Sequence, residues 1–431
     1  MRQPGGIVTA LAVALGALAV APLAADLAGA LRAIDDGRGA EARGPLSEEI
    51  ARLSYYLALA ETGAARQAAA ERARDLAAER SWVRPASVAL LAEGADQNEA
   101  AIAGYRSAVE LAPEDARLWS RLGSALLRHD EHGEARAAFE RAIALDPGHR
   151  PSLIAVGDLL RGDGDFGGAY NAYNHAIDET QAPFAALYGR ATAKLYLGDR
   201  DGALADLDRA AAAASPGAER SRALMGSLFV RAYERRLPEG LDRAEEAVRM
   251  WGELGRPDMV AATLNAAARA LLETGDAVSA EAWYERGWQA VEGASLPPEQ
   301  RTLWQVRRLH GQARCAAVRR ETERADALAQ EARDLMAADL ANREHYAWIE
   351  PYLNGYLALS QRRFDVAIAE LQRSDLERAH IRMLLADAYA RSRDRVNARL
   401  WYERALAAAT GLDVESVVVR PTATSWLAKN R

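Results

Sequence analysis

The quartet His129-Asp130-Glu131-His132 has the side-chain types to bind a metal: two imidazoles three residues apart with carboxylates between them. A zinc site needs a third ligand and converging geometry, and the other histidines (His149, His175, His310, His345, His380) repeat no spacing with this pair or with each other. Residues 161–168 (RGDGDFGG) set carboxylates among glycines as a calcium loop does, but the glutamate such a loop needs at its twelfth position is missing. The triplet Asp165-Phe166-Gly167 matches a metal-holding triplet of phosphoryl-transfer enzymes, without the Gly-rich strand motif and catalytic loop that accompany it there. Cys315 is the single cysteine, so an intramolecular disulfide is impossible. No Gly-x-Ser-x-Gly elbow presents a nucleophile. The sequence therefore predicts a protein that is not an enzyme, with no catalytic, cofactor-binding or metal-binding residues. An enzyme with a site between repeats is the lesser alternative, and stray histidines are all it has.

The elements that would position these residues are helices. Between Ala116 and His149, Leu118, Trp119, Leu122, Ala125 and Leu126 share one helical face. Ala135, Ala138, Phe139, Ala142 and Ile143 share a second. Both sets follow the i, i+3, i+4 spacing of an amphipathic helix. His132-Gly133 falls in the turn between the two, and Asp146-Pro147-Gly148 closes the unit. In the next unit RGDGDFGG occupies the same turn.

The unit then repeats. An alanine opens each second helix at Ala101, Ala135, Ala169 and Ala203, every 34 residues. Four residues later comes Tyr105, Phe139, Tyr173 or Leu207, and three beyond that Ala108, Ala142, Ala176 or Ala210. Small residues suit the close crossing of two helices, and the bulky one fills the space toward the next unit. After Pro216 the equivalent positions fall near Gly240, Ala280, Ala325, Ala367 and Ala398, with steps of 37, 40, 45, 42 and 31. Longer steps imply extra helical turns or longer connections.

Trp119, Leu122, Gly123, Leu126, Ala135, Phe139, Ala142 and Pro147 stand at the offsets of a 34-residue pattern that closely resembles the tetratricopeptide repeat (TPR). The resemblance implies an all-α fold, a right-handed superhelical TPR solenoid of about ten helix-turn-helix repeats, with no single core. The organisation expected is a signal peptide or membrane anchor at 1–25, a linker at 26–46, an N-terminal array with the 34-residue period at 47–217, a C-terminal array of longer, irregular period at 218–410, and a capping tail at 411–431. Val414 to Val419 (VESVVV) is β-favouring and is expected to lie along the last helix.

In TPR proteins the first helix of each repeat lines a concave groove through its positions 2, 5, 9, 12 and 13. Carried over by register, the partner-binding residues implied are Arg117, Ser120, Ser124, Arg128, Asp158, Tyr188, Thr192, Tyr196, Asn265, Arg269, Tyr352, Tyr356, His380 and Asp387. A mix of aromatic, apolar and arginine side chains along the lining suits an extended peptide or helix. The family's clamp for chaperone carboxyl termini is not implied, because Lys194 falls at position 11, on the packing face. By the same register Cys315 is a tenth-position residue, expected to be buried and inert.

The chain has 431 residues and a net charge of −7, which disfavours nucleic acid as partner. Arg2 precedes an uncharged run from Ile7 to Ala25, followed by Ala28-Gly29-Ala30. A positive start, an apolar stretch and small residues describe a secretory signal, and the run also suffices for an uncleaved anchor. The location expected is periplasmic or secreted, or anchored in the inner membrane facing the periplasm; cytoplasmic is the alternative, with Ile7–Ala25 as a buried helix. The function expected is a scaffold of the bacterial cell envelope. Membership of an exopolysaccharide synthesis or secretion machinery is its narrower alternative.

Overall fold

In several repeats the paired helices cross closely because one side of the crossing is bare. At Gly123 a Cβ would sit 2.8 Å from the Phe139 ring, and at Gly157 it would sit 2.7 Å from the Tyr173 ring. Either atom would force the paired helices apart, so glycine there is a packing requirement. The aromatic partners are fully buried. Tyr173 also meets Gly189 of the following hairpin, so one ring fills the space on both sides.

A computed structural model describes residues 45–178 and 182–430. The segment expected as signal or anchor (1–25), and the linker apart from its last two residues, lie outside the described residues. The helices pair as α1 (Pro45–Ala60) with α2 (Gly63–Leu76), α3 (Val83–Gly94) with α4 (Asn98–Leu111), α5 (Ala116–Arg128) with α6 (His132–Leu145), and α7 (Arg150–Gly162) with α8 (Phe166–Ala176). Next come α9 (Phe184–Leu197) with α10 (Arg200–Ala213), α11 (Ala218–Tyr233) with α12 (Leu241–Glu253), and α13 (Pro257–Glu273) with α14 (Ala277–Glu292). The series closes with α15 (Pro298–Val318) and α16 (Thr322–Ala338), a short α17 (Arg343–Tyr346), α18 (Ile349–Ser360) with α19 (Phe364–Gln372), α20 (Ala379–Arg391) with α21 (Arg395–Ala408), and a last helix α22 (Val414–Lys429). That makes ten hairpins, an all-helical repeat solenoid, with no strand among the described residues. Among them no helix is long and apolar enough to cross a membrane.

One device turns the chain in every hairpin. A residue of positive φ stands between, or at the junction of, the two helices: Gly63, Asp96, Asp130, Gly164, Gly198, Arg235, Gly275, Arg320, Arg362 and Arg393. From the second hairpin on, the next backbone N–H reaches back five residues to close the first helix, as Glu131 does to Leu126 at 3.0 Å and Asp165 to Leu160 at 2.8 Å. An aspartate often starts the second helix: Asp165, Asp199, Asp276 and Asp394 each accept a bond from the backbone N–H three residues on. The HDEH quartet and RGDGDFGG are therefore turn and cap chemistry. Asp130 takes φ 59°, Gly164 takes φ 80°, and Asp165 is a helix cap.

The longer period after Pro216 is mostly longer helices. α13 to α16 run 16 to 21 residues against 11 to 14 for α3 to α10. The chain divides into two compact units between Val156 and Gly157, inside α7. In residues 45–156 the core is a row of hairpin interiors holding Tyr55, Leu90, Tyr105, Leu118, Leu126 and Phe139.

Residues 157–430 contain the same rows and one further element. Val414 to Val419 is helical despite its β-favouring composition. Asp413 caps the helix through the Ser416 N–H at 2.9 Å, and Val414, Val417 and Val419 are buried on it. Burial outweighs a helix-propensity deficit of a few tenths of a kcal/mol per valine. Pro421 sits within the helix and removes one backbone donor from it.

Candidate binding groove

Several first helices of the hairpins in residues 157–430 share one face, and α22 lies on it. It packs on α11, α13 and α20, and on α21 beside them. From Leu412 to Ala423 only Asp413 is exposed. A helix covered on nearly all sides is an interior helix. Leu412, Val414 and Val417 join the apolar cluster of Tyr188, Leu228 and Leu264, while Val419 and Ala423 join that of Met383, Ala398 and Tyr402. Trp426 stacks on Tyr402 with centroids 4.7 Å apart.

The polar anchors come in two kinds. Three grip the backbone that leads into α22: Arg161 donates to the Thr410 carbonyl at 3.3 Å, Tyr188 to that of Leu412 at 2.8 Å, and Tyr196 to that of Gly411. Burial pushes both tyrosine hydroxyls above their ordinary pKa, so they remain donors. One anchor grips a side chain. Glu415 accepts from Arg269 at 3.0 Å and from Arg378 at 3.5 Å. Burial raises the pKa of Glu415, but Arg269 first, then His380 and Arg378, outweigh it and hold the carboxyl below its usual value. In return Arg420 of α22 lies over the rings of Phe166 and Tyr196, at 4.7 and 4.6 Å.

Beneath Glu415 is a buried polar network. Glu273, the last residue of α13, has Oε1 3.1 Å from His380 Nε2 and 3.5 Å from Arg314 Nη1, ion pairs by distance without the alignment of hydrogen bonds. Arg314 donates to the Tyr352 hydroxyl at 3.0 Å and the Tyr284 hydroxyl at 2.9 Å. The His310 ring stands 5.2 Å from Tyr352. Burial acts to raise the Glu273 pKa, yet His380, Arg314 and Arg269 hold it down to about 2. Burial, then Arg314 and Arg269, keeps His310 well below the ordinary histidine value. With His380 1% exposed, no substrate reaches the His380–Glu273 pair while α22 is seated.

The groove residues expected from the sequence fall into three groups. Tyr188, Tyr196 and Arg269 touch the 411–430 segment directly, and Tyr352, Tyr356 and His380 form or flank the network beneath it. Thr192, Asn265 and Asp387 face their own hairpins: Thr192 donates to the Tyr188 carbonyl, the Asn265 amide oxygen lies against Gly287, and Asp387 accepts from Tyr402. Asp158 is exposed and holds Arg161 at 3.0 Å and the Tyr173 hydroxyl at 2.7 Å. In the first unit Arg117 and Arg128 are exposed, and Arg117 lies 4.8 Å over the Tyr56 ring. Ser120 is buried, and Ser124 donates to the Ser120 carbonyl at 3.0 Å. Arg128 and Arg66 share Glu93 at 2.6 and 2.9 Å, beside a cavity of about 840 Å³.

Lys194 is on the packing side, 2.9 Å from Asp206, which Arg190 also grips through two bonds of 2.8 and 2.6 Å. Cys315 is buried, which pushes its thiol up to about 11. The register missed Glu273, His310, Arg314, Arg378 and Glu415. Three of these were within reach. Counting from Cys315 as the tenth position, His310 and Arg314 are the fifth and ninth of their repeat, and Glu273 is the thirteenth of its own. Glu415 lies beyond the repeats, where register gives no signal.

The tetratricopeptide-repeat family model matches residues 89–150 and 352–413. A curated Caenorhabditis elegans protein, BBSome complex member bbs-4, is 27% identical over 88 residues, which are 20% of this chain and 19% of that one. The match thus spans about a fifth of the curated relative. Among solved structures, a tetratricopeptide repeat protein from Parabacteroides merdae is 17% identical with a TM-score of 0.43, covering 65% of this chain and 99% of its own. The C-terminal part of a TPR repeat-containing protein from Cytophaga hutchinsonii is 13% identical with a TM-score of 0.42, covering 57% and 96%.

Proposed function

We propose that this chain of tetratricopeptide-repeat hairpins is a non-catalytic scaffold whose concave groove binds a helix or peptide of another protein. The repeat fold implies a protein-interaction scaffold. The observation that carries the finer reading is α22 itself, a helix seated in the groove by backbone-directed and carboxylate-directed donors. In the first unit, exposed Arg117 and Arg128 supply planar donors of the kind that dominate such interfaces.

The proposal places the scaffold in the bacterial cell envelope. Arg2 and the uncharged run Ile7–Ala25 support that placement. A narrower assignment to an exopolysaccharide synthesis or secretion machinery rests on no residue of the groove. The test is cross-linking of the native chain in its own cells, comparing wild type with an Arg117→Glu/Arg128→Glu double variant. A stoichiometric envelope partner that the double variant loses while melting as wild type does is the result expected; synthase or pore subunits would support the narrower assignment. A stoichiometric partner retained by the variant removes the first-unit arginines from the interface, and the absence of any partner overturns the scaffold.

A further inference from the structure

The contacts that hold α22 divide cleanly between what any chain possesses and what this tail happens to carry. Arg161, Tyr188 and Tyr196 hold carbonyls of Thr410, Leu412 and Gly411, so that part of the seat reads a short non-helical backbone whatever its side chains. Arg269 and Arg378 converge on one carboxylate, Glu415, and that part reads charge. Below them Val414, Val417 and Val419 fill the floor with small branched apolar groups.

The tail is a weak occupant for such a seat. Its helix has four valines and an internal Pro421, and Pro421 forfeits a backbone bond. A sixteen-residue helix of this composition has no stability of its own, so docking must supply the cost of ordering it. Its advantage is the tether. Only residues 409–413 separate it from α21, which sets an effective concentration on the order of millimolar. A partner helix with better helix-formers around the same acid would escape the ordering cost.

We infer that the groove of residues 157–430 accepts, in place of α22, a helix from a partner protein that carries a carboxylate at the Glu415 position behind a short non-helical lead, and that α22 is the chain's own placeholder. The inference rests on the scaffold reading above and names its ligand class. An intact chain keeps the seat closed to weak ligands through the tether. A strong acidic helix displaces α22 and lays its carboxylate between Arg269 and Arg378, above the Glu273–His380–Arg314 network.

The test inserts a protease site between Ala408 and Ala409 of the full chain, cuts it after folding, and follows uptake of a fluorescein-labelled synthetic peptide of residues 409–430 by anisotropy. The cut chain takes up the peptide, and the uncut chain binds it at least about a hundredfold more weakly because of the tether. A peptide with Glu415→Lys is taken up about tenfold or more weakly, and Arg269→Glu in the groove restores much of that loss. Retention of the original tail against a large excess of peptide would make α22 permanent core and overturn the inference. So would equal uptake of the Glu415→Lys peptide. Exchange of tails between copies, seen as a dimer by light scattering, would replace the partner with a second copy. On the unmodified chain, hydrogen exchange gives an independent reading that needs no insertion. Val414–Ala423 amides that exchange about tenfold or more faster than those of Leu264–Leu272 support a tail that opens ahead of the fold, and equal rates contradict it. Peptide uptake without any partner in the cross-linking experiment would uphold the seat and overturn only the scaffold; a partner captured by a chain that refuses the peptide would do the reverse.

Discussion

Residues 45–156 and residues 157–430 are built from the same hairpin, yet they solve its problems with different residues. In the first stretch the turns of positive φ use Gly63, Asp96 and Asp130, types that tolerate that conformation. In the second, Arg235, Arg320, Arg362 and Arg393 take it alongside three glycines between paired helices. The first buries apolar side chains and short polar ones, while the second also buries Arg190, Asp206, Arg314 and His380. Only the second has a helix lying across its inner face. The Arg190–Asp206–Lys194 cluster already lies in the last hairpin of the 34-residue series, while the Glu273–His380–Arg314 network lies among the repeats after Pro216. α22 packs on α11, α13 and α20 of the second stretch.

The widest-reaching way to break this comparison is to strike each interior at its own kind of bond. Phe139→Ala in the first stretch should cost about 3–5 kcal/mol by emptying the space over Gly123. Asp206→Ala in the second should cost a similar 3–5 kcal/mol, for a different reason: it strands Arg190 and Lys194 without their counter-charge. Urea unfolding measures both. If Asp206→Ala melts like wild type, the charge cluster is not what holds α9 to α10.

Acid should separate the two stretches next. A carboxylate held low in the fold gives stability that is full above its unfolded value and lost as pH falls through the folded one. Glu273, held to about 2 against an ordinary 4.5, should therefore cost the second stretch on the order of 3 kcal/mol as pH drops through that window. His310, held well below 6.5, acts in the same direction at milder acidity, because only its unfolded form takes up a proton. Unfolding midpoints between pH 7 and 4 should fall with a slope that His310→Gln flattens in the upper part. A slope unchanged by His310→Gln would contradict its burial as a neutral ring.

Smaller changes sharpen the contrast. Tyr188→Phe removes the bond to the Leu412 carbonyl and should loosen α22 by about 1 kcal/mol, read as faster amide exchange in 414–423 with the first stretch unaffected. Arg362→Gly should stabilise the second stretch by about 1 kcal/mol, since it relieves a positive φ of 63° on a long side chain. A destabilised Arg362→Gly chain would mean that the arginine's contacts outweigh its backbone.

The hairpins were legible because their causes are local and periodic. Alanine at a close crossing, an aromatic against a bare glycine and a residue able to turn left recur at fixed spacing, as Gly123 with Phe139 and Gly157 with Tyr173. Groove positions were legible as positions, but not as contacts. The register named Tyr188, Tyr196 and Arg269, and nothing in it says that Thr410–Glu415 would be what they hold. A tail has no period, and VESVVV carries the local preferences of a strand. Its helical state comes from Asp413 at its start and from a groove formed by residues up to about 250 positions away, as in the bond from Arg161 to Thr410. The apolar face around His310 and Arg314 is interrupted by Arg and Gln, so the spacing that would locate them is faint; Glu273 stands in a clearly periodic helix, where its position was legible but its charge partners were not.

The central claim is that α22 lies inside the groove of the second stretch. Native-state hydrogen exchange on the full chain tests it most directly. The account predicts that amides from Val417 to Ala423 exchange orders of magnitude more slowly than in the free 409–430 peptide, and that Glu415→Lys erases much of that protection while Leu118–Leu126 of the first stretch stay as they were. Exchange at the rate of the free peptide in the intact chain would place the tail in solvent and contradict it.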